Sequence, residues 1–155
     1  PYVDINFLAM SNHRTLPSAR EIAESCLCFH TQRAARALAR RFDAAFRELG
    51  ITNGQFSMMA MLSGAEHRRM SETAAFLMMD RTTLTAAIKA LERRGLVAVA
   101  LDPKDRRGRL ISLTEQGRKI LDAAKPIWRS EHALLEGERP NLDAPRLRAQ
   151  LKMLA

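Results

Sequence analysis

The sequence lacks most of what would make it a secreted, membrane-spanning or cofactor-carrying protein. It holds only two cysteines, Cys26 and Cys28. Two thiols so close together cannot staple a secreted fold, and a reducing compartment is the expectation. No run of about 18 apolar residues is present to cross a bilayer. The opening PYVDINFLAM has neither the cationic start nor the cleavage pattern of a signal peptide, so a cytoplasmic protein with no membrane partner is expected. A Gly-rich phosphate loop, an HExxH pair and a Ser-centred elbow are all missing. No catalytic residue, metal ligand set or cofactor is therefore assigned. Repeats and low-complexity stretches are absent too, which predicts one domain over residues 1–155.

Acidic residues are also in deficit. Seventeen Asp and Glu face 25 Lys and Arg, leaving a formal charge of +8 and a pI near 10.5. Such a balance favours a polyanionic partner, nucleic acid before an anionic membrane surface.

Apolar and small residues Leu27, Thr31, Ala34, Leu38, Phe42, Ala45 and Leu49 recur in steps of three and four. This spacing predicts one long helix from Pro17 to a stop at Gly50. Arg33, Arg36, Arg40 and Arg47 fall on its other side. A second helix is expected from Thr52 or Asn53 to Leu62, and a short one capped by Ser71 and running to Met78. Asp80 can cap the next helix, Arg81 to Arg94, in which Leu84, Ile88 and Leu91 face a core while Thr82, Thr85 and Lys89 form a small polar outer face. After Gly95 the alternation of Val97, Val99 and Leu101 reads as a strand with one buried face. The seven-residue DPKDRRG turn and a return strand, Arg109 to Leu113, complete a hairpin. Thr114 should cap a last long helix kinked at Pro126, and Leu147, Leu151 and Leu154 form a closing apolar stripe that needs a partner. The role of the first 16 residues stays open: Tyr2, Ile5, Phe7 and Leu8 could form a swapped arm or stay unordered.

A short helix, a tight turn, a helix with a small polar outer face and a basic hairpin spell a winged helix-turn-helix. The fold class expected is mainly α with a small β-hairpin. A major groove about 12 Å wide admits one helix, and Thr82, Thr83, Thr85 and Lys89 suit it. Arg81 could reach a guanine edge or a phosphate, or else pair with a nearby acid. Ser71 offers a hydroxyl to phosphate. Lys104, Arg106, Arg107 and Arg109 on the hairpin suit the DNA backbone or a narrow minor groove; the plainer reading is a solvated loop.

The segments MDRTTLTAAIKALERRGLV and DPKDRRGRLISLTEQG resemble the recognition helix and wing of the MarR family, and LGITNGQFSMMAML resembles its second helix. That resemblance implies a bacterial or archaeal regulator. It implies a winged-helix lobe at about 53–113, dimerisation helices at 17–50 and 114–155, and a homodimer on a pseudo-palindromic operator of double-stranded DNA. The family's wing pattern implies that Asp105 pairs with Arg107 to hold the loop, with Arg107 or Arg106 entering the minor groove. Release of the operator by a small ligand or by oxidation is also implied. A pocket for an aromatic acid or its thioester would draw on Phe29, His30, Arg33, Met58 and Met61, each of which has core packing or a solvated face as its plain alternative. Cys26 and Cys28 are read either as buried inert thiols or as redox sensors. Cys26 and His30 share a helical face while Cys28 points elsewhere, so the three cannot converge on a metal. A winged-helix module that binds RNA or protein is the reading from another class.

Overall fold

The structure is a computed structural model and describes residues 16–154; the expectations for Tyr2, Ile5, Phe7 and Leu8 lie outside the described residues. The chain divides into two compact units, with the boundary between Ala37 and Leu38.

Ser18 caps α1 (Ala19–Ser25), its side chain accepting from the Glu21 amide. The single long helix predicted here is interrupted. Cys26 adopts an extended conformation with φ −75° and ψ 110°, and α2 (Leu27–Ala45) starts afresh after it. Cys26 then works as a cap: its carbonyl accepts from His30 N–H at 3.1 Å and its Sγ from Phe29 N–H at 3.4 Å. The expected apolar face is only partly realised. Phe42 is the one buried residue of α2, while Leu27 and Leu38 are exposed.

The second unit contains the core, formed by Phe42, Phe46, Phe56, Met59, Leu62, Leu84, Ile88, Leu91, Ile111, Leu121 and their neighbours. A 3-10 turn (Arg47–Leu49) ends at Gly50. Then α3 (Asn53–Leu62) begins with a complete capping box between Thr52 and Gln55, which satisfies two of the helix's free amides at once. Arg41 on α2 is bonded to Glu131 and, in a fork of 2.5 and 2.9 Å, to Glu138. The Arg41 guanidinium holds the Glu138 carboxyl below the usual carboxylate range.

A two-residue strand, β1 (Arg68–Arg69), runs directly into α4 (Met70–Phe76). Ser71 therefore sits inside the first turn of α4 and not at its cap, which is Arg69 without a side-chain bond. The pairing of β1 with β3, Arg68 opposite Ile111 and Arg69 opposite Leu110, fixes the chain in extended form up to Arg69 and leaves no room for a Ser71 cap. Helix α5 (Arg81–Arg93) follows, capped by Asp80. Gly95 adopts φ +67°, a left-handed conformation that a side chain would strain, and turns the chain into β2 (Val97–Asp102).

The sheet is antiparallel in the order β1-β3-β2, one strand more than the predicted hairpin. Its hairpin is also tighter than predicted. Asp102 pairs with Asp105, so β3 (Asp105–Leu113) takes up most of the expected loop, and Pro103 and Lys104 alone make the turn. A register shift between Leu101 and Asp102 reverses the expected alternation there: Leu101 is exposed and Asp102 is buried. A bulge of this kind sends two successive side chains out of phase.

Thr114 caps α6 (Glu115–Gly137), which continues through Pro126, and Asp143 caps α7 (Ala144–Lys152). Leu134 near the end of α6 is exposed, and so are Leu147, Leu151 and Leu154 of the closing stripe.

The start of α6 rests on the turn after α5. Thr114 Oγ1 donates to Gly95 O at 2.6 Å and accepts from Gly117 N–H at 3.0 Å. A Cβ at Gly117 would run into the Leu96 carbonyl and approach Leu113 Cδ2 to 3.2 Å. Gly117→Ala is thus expected to lower stability by about 1–3 kcal/mol, although alanine is the better helix former by about 1 kcal/mol. Gly137, with nothing within 4 Å of its Cβ position, should tolerate alanine at no loss. Urea midpoints of the two variants check both signs.

Candidate nucleic-acid interface

Helix α5 is held by its inner face. Leu84, Ile88 and Leu91 are at most 1% exposed, and three positions spaced by four and three pin a 3.6-residue helix in rotation. Thr82, Ala86 and Lys89 are consequently exposed and Thr85 half-buried on the side away from the core. With Arg81 they line an open depression of about 440 Å³.

The threonines of this helix are not equivalent. Asp80 accepts from Thr83 N–H at 2.8 Å and from Thr83 Oγ1 at 2.5 Å, so Thr83 belongs to the helix cap. Those two bonds, the hydroxyl's first, keep the Asp80 carboxyl below its ordinary value. Thr85 Oγ1 donates back to Arg81 O at 2.6 Å. Among the described residues, Arg81 and Lys89 form no ion pair, so the nearby acid weighed as a partner for Arg81 does not appear.

The hairpin is braced by a pair that the sequence reading missed. Asp102, 4% exposed, accepts from Lys104 N–H at 2.9 Å and from Arg69 Nε at 2.9 Å. These contacts, the Lys104 amide foremost, outweigh burial and hold the Asp102 carboxyl below its usual value. The implied pairing of Asp105 with Arg107 takes a different form: Asp105 Oδ1 accepts from the backbone N–H of Arg107 at 3.0 Å. The Arg107 side chain is exposed, and among the described residues no ion pair joins the two. Lys104 and Arg109 are exposed, and the Arg109 side chain donates to the neighbouring Gly108 carbonyl at 3.1 Å. Arg106 lies in β3; its side chain is outside the described residues. Ser71 is exposed in the first turn of α4.

The ligand candidates are divided between the two units. In the first, Phe29 is 40% exposed, the Arg33 guanidinium lies 5.4 Å from its ring centre, and His30 Nε2 is 3.1 Å from Glu24 O. In the second, Met58 is a core residue and Met61 packs against that core. The cysteines are not buried thiols: Cys28 is exposed and Cys26 half-buried, and both are free. The extended backbone at Cys26 also removes the helical face it was expected to share with His30.

The model of the MarR family matches residues 51–108. BadR of Rhodopseudomonas palustris, a transcriptional activatory protein, is 32% identical over 116 residues, 72% of this chain and 66% of that one. The organic hydroperoxide resistance transcriptional regulator of Bacillus subtilis is 30% identical over 67% of this chain and 71% of its own length. The chain belongs to the MarR family. Among solved structures, the transcriptional regulator MosR of M. tuberculosis in complex with DNA superposes with a TM-score of 0.74 at 39% identity, over 83% of this chain and 92% of that one. All three relatives are named for transcriptional regulation.

Within this MarR-family fold, Arg69 and Asp102 belong to the wing as much as its tip does. The missed signal was a carboxylate placed where β2 should be turning inward, which obliges a nearby cation. Asp102→Asn is expected to speed amide exchange at Lys104. In the wild type the brace is complete above about pH 4, the ordinary carboxylate value. It is lost only as pH falls through the lower folded value. Exchange at Lys104 that is insensitive both to the substitution and to pH below 4 would remove the brace.

Proposed function

We propose that this chain is a sequence-specific double-stranded DNA-binding transcriptional regulator that works as a homodimer. The observation that carries the reading is the outer face of α5, where Arg81, Thr82 and Lys89 are presented to solvent beside a braced wing that carries Lys104, Arg107 and Arg109. A net charge of +8 supplies the general attraction to phosphate. The exposed leucines of α6 and α7, with Leu27 and Leu38 of α2, are apolar surface of the kind a second copy covers. The dimer sets two α5 helices into successive major grooves of a pseudo-palindromic operator, with half-site centres about one turn, ~10 bp, apart.

The experiment is a binding selection from a random duplex library at about 150 mM salt, where non-specific attachment is already weakened. Enrichment of one inverted repeat is expected; indiscriminate recovery would favour a winged-helix module for RNA or protein. On the enriched duplex, Lys89→Ala should change the base preference profile. Arg107→Ala should instead weaken operator and unrelated duplex by similar factors and lower the salt slope by about one. Undiminished affinity of Arg107→Ala would refute its place on DNA.

Repression of a promoter, relieved by an aromatic acid or its thioester, is the effector arrangement that the family resemblance favours. Calorimetry with aromatic carboxylates and their thioesters checks it. A second arrangement is favoured by the cysteines. Cys28 is exposed and Cys26 caps α2, so oxidation of either thiol would reach the start of a helix directly. Peroxide is expected to reduce operator affinity in the wild type and to leave a Cys26→Ser, Cys28→Ser variant unchanged. Equal affinity of wild type with and without peroxide would discard the redox arrangement.

A further inference from the structure

Hydrogen bonds inside α5 restrict what each of its outward side chains can say to a base. A threonine hydroxyl has one hydrogen to donate. That of Thr85 is committed to Arg81 O at 2.6 Å, so Thr85 has only a methyl group and the lone pairs of Oγ1 left to offer. The next residue, exposed Ala86, offers a methyl alone. The free donors stand around this pair: Arg81 and Thr82 toward the N-terminus and Lys89 one turn on. All five residues line the same open depression of about 440 Å³. Its centre has no donor and its edges have several.

Base pairs differ in how they meet such a surface. Guanine presents two acceptors in the major groove and adenine one acceptor beside its amino group. Over Thr85 and Ala86 guanine would leave two acceptors unmet, and adenine and thymine one each. Thymine alone presents a methyl group there. Adenine and cytosine are the competitors, since the amino group of either could donate to Thr85 Oγ1, but both lack the methyl.

We propose that Thr85 and Ala86 form a methyl-reading seat for one thymine in each half-site, with hydrogen-bond readout confined to Arg81, Thr82 and Lys89. This rests on the reading of α5 as the groove helix, and it adds to the hydrogen-bond readout at its edges an apolar contact at its centre.

The test uses the full chain and the duplex it selects from a random library. Each thymidine of one half-site is replaced in turn by deoxyuridine, which removes only the methyl group. One position is expected to weaken binding roughly fourfold, the worth of one buried carbon at about 0.8 kcal/mol. Thr85→Val, which keeps the methyl and removes the hydroxyl, should select the same sequence and keep that penalty. A Thr85→Ser, Ala86→Ser variant, which deletes the Thr85 methyl and turns that of Ala86 into a polar hydroxymethyl, should lose it. A selected duplex in which no deoxyuridine changes affinity, or a penalty that persists in the double serine variant, would overturn the seat. So would selection of cytosine at that position in the wild type. If no duplex is enriched at all, the DNA-binding reading falls first and the seat with it.

Discussion

Everything the proposed interface presents depends on the burial of Leu84, Ile88 and Leu91 under α5. Each contributes about 1.5–3 kcal/mol when removed from water, and together they fix the rotation of a helix whose outer residues have no comparable hold. Turning the helix by one residue would expose that apolar face and bury Arg81 or Lys89, which costs several kcal/mol for an unpaired charge. The outer face is therefore set by the core, and its polar residues are free to be chosen for what they touch. The two ends are secured separately. Asp80 holds Thr83 at the start. At the other end the Gly95 turn is locked to α6 through Thr114, and the Gly117 contact with Leu96 fixes how closely α6 approaches.

The wing obeys a different rule. Val97, Ile111 and Leu113 anchor the base of the hairpin in the core, while the geometry of its outer end rests on one buried carboxylate. Asp102 arrives inside because the register slips between Leu101 and Asp102, and a buried carboxylate stays only where donors meet it. Lys104 N–H and Arg69 Nε do so. Arg69 lies on β1, immediately before α4, so the same side chain that braces the hairpin also ties it to the first helix of the helix-turn-helix. The outer end of the wing is thus tied to α4 by charge, where the base of the wing and α5 are held by apolar burial.

This division explains which parts were legible in the sequence. The bounds of α3 and α5 and the start of α6 follow from periodicity and from caps whose chemistry is local: Thr52, Asp80 and Thr114. The apolar core of α5 follows from spacing alone. Features that depend on distant chain segments were not legible. A two-residue β1 has no periodicity to read, and its presence is what displaced the Ser71 cap. The bulge at Leu101 inverts a pattern of strict alternation that continued correctly in Ile111 and Leu113. The break at Cys26 is invisible because no glycine or proline marks it; the sulfur and carbonyl of Cys26 supply the cap instead. At the interface, residue identity gave the candidates but not their partners. Thr83 and Thr85 look alike in sequence, yet Asp80 takes one and the Arg81 carbonyl the other.

That last distinction bears on how a strongly cationic chain would discriminate between sequences at all. Charge is spread over the molecule, in exposed Arg36, Arg40 and Arg47 as well as in the wing, and phosphate is the same beside every base. Adding cations raises affinity for all duplexes together and makes it steeply salt-dependent. Discrimination would have to come from the few atoms proposed to reach base edges, and of those on α5 only Arg81 and Lys89 are charged. The remaining atoms, a free hydroxyl at Thr82 and methyl groups at Thr85 and Ala86, are weakly attractive to any duplex. Their weight lies in what they reject: a wrong base opposite them loses its hydrogen bonds to water and gains none from the protein. A small, sparsely charged helix face within a basic molecule is thus the arrangement that physical chemistry favours for selectivity without loss of attachment.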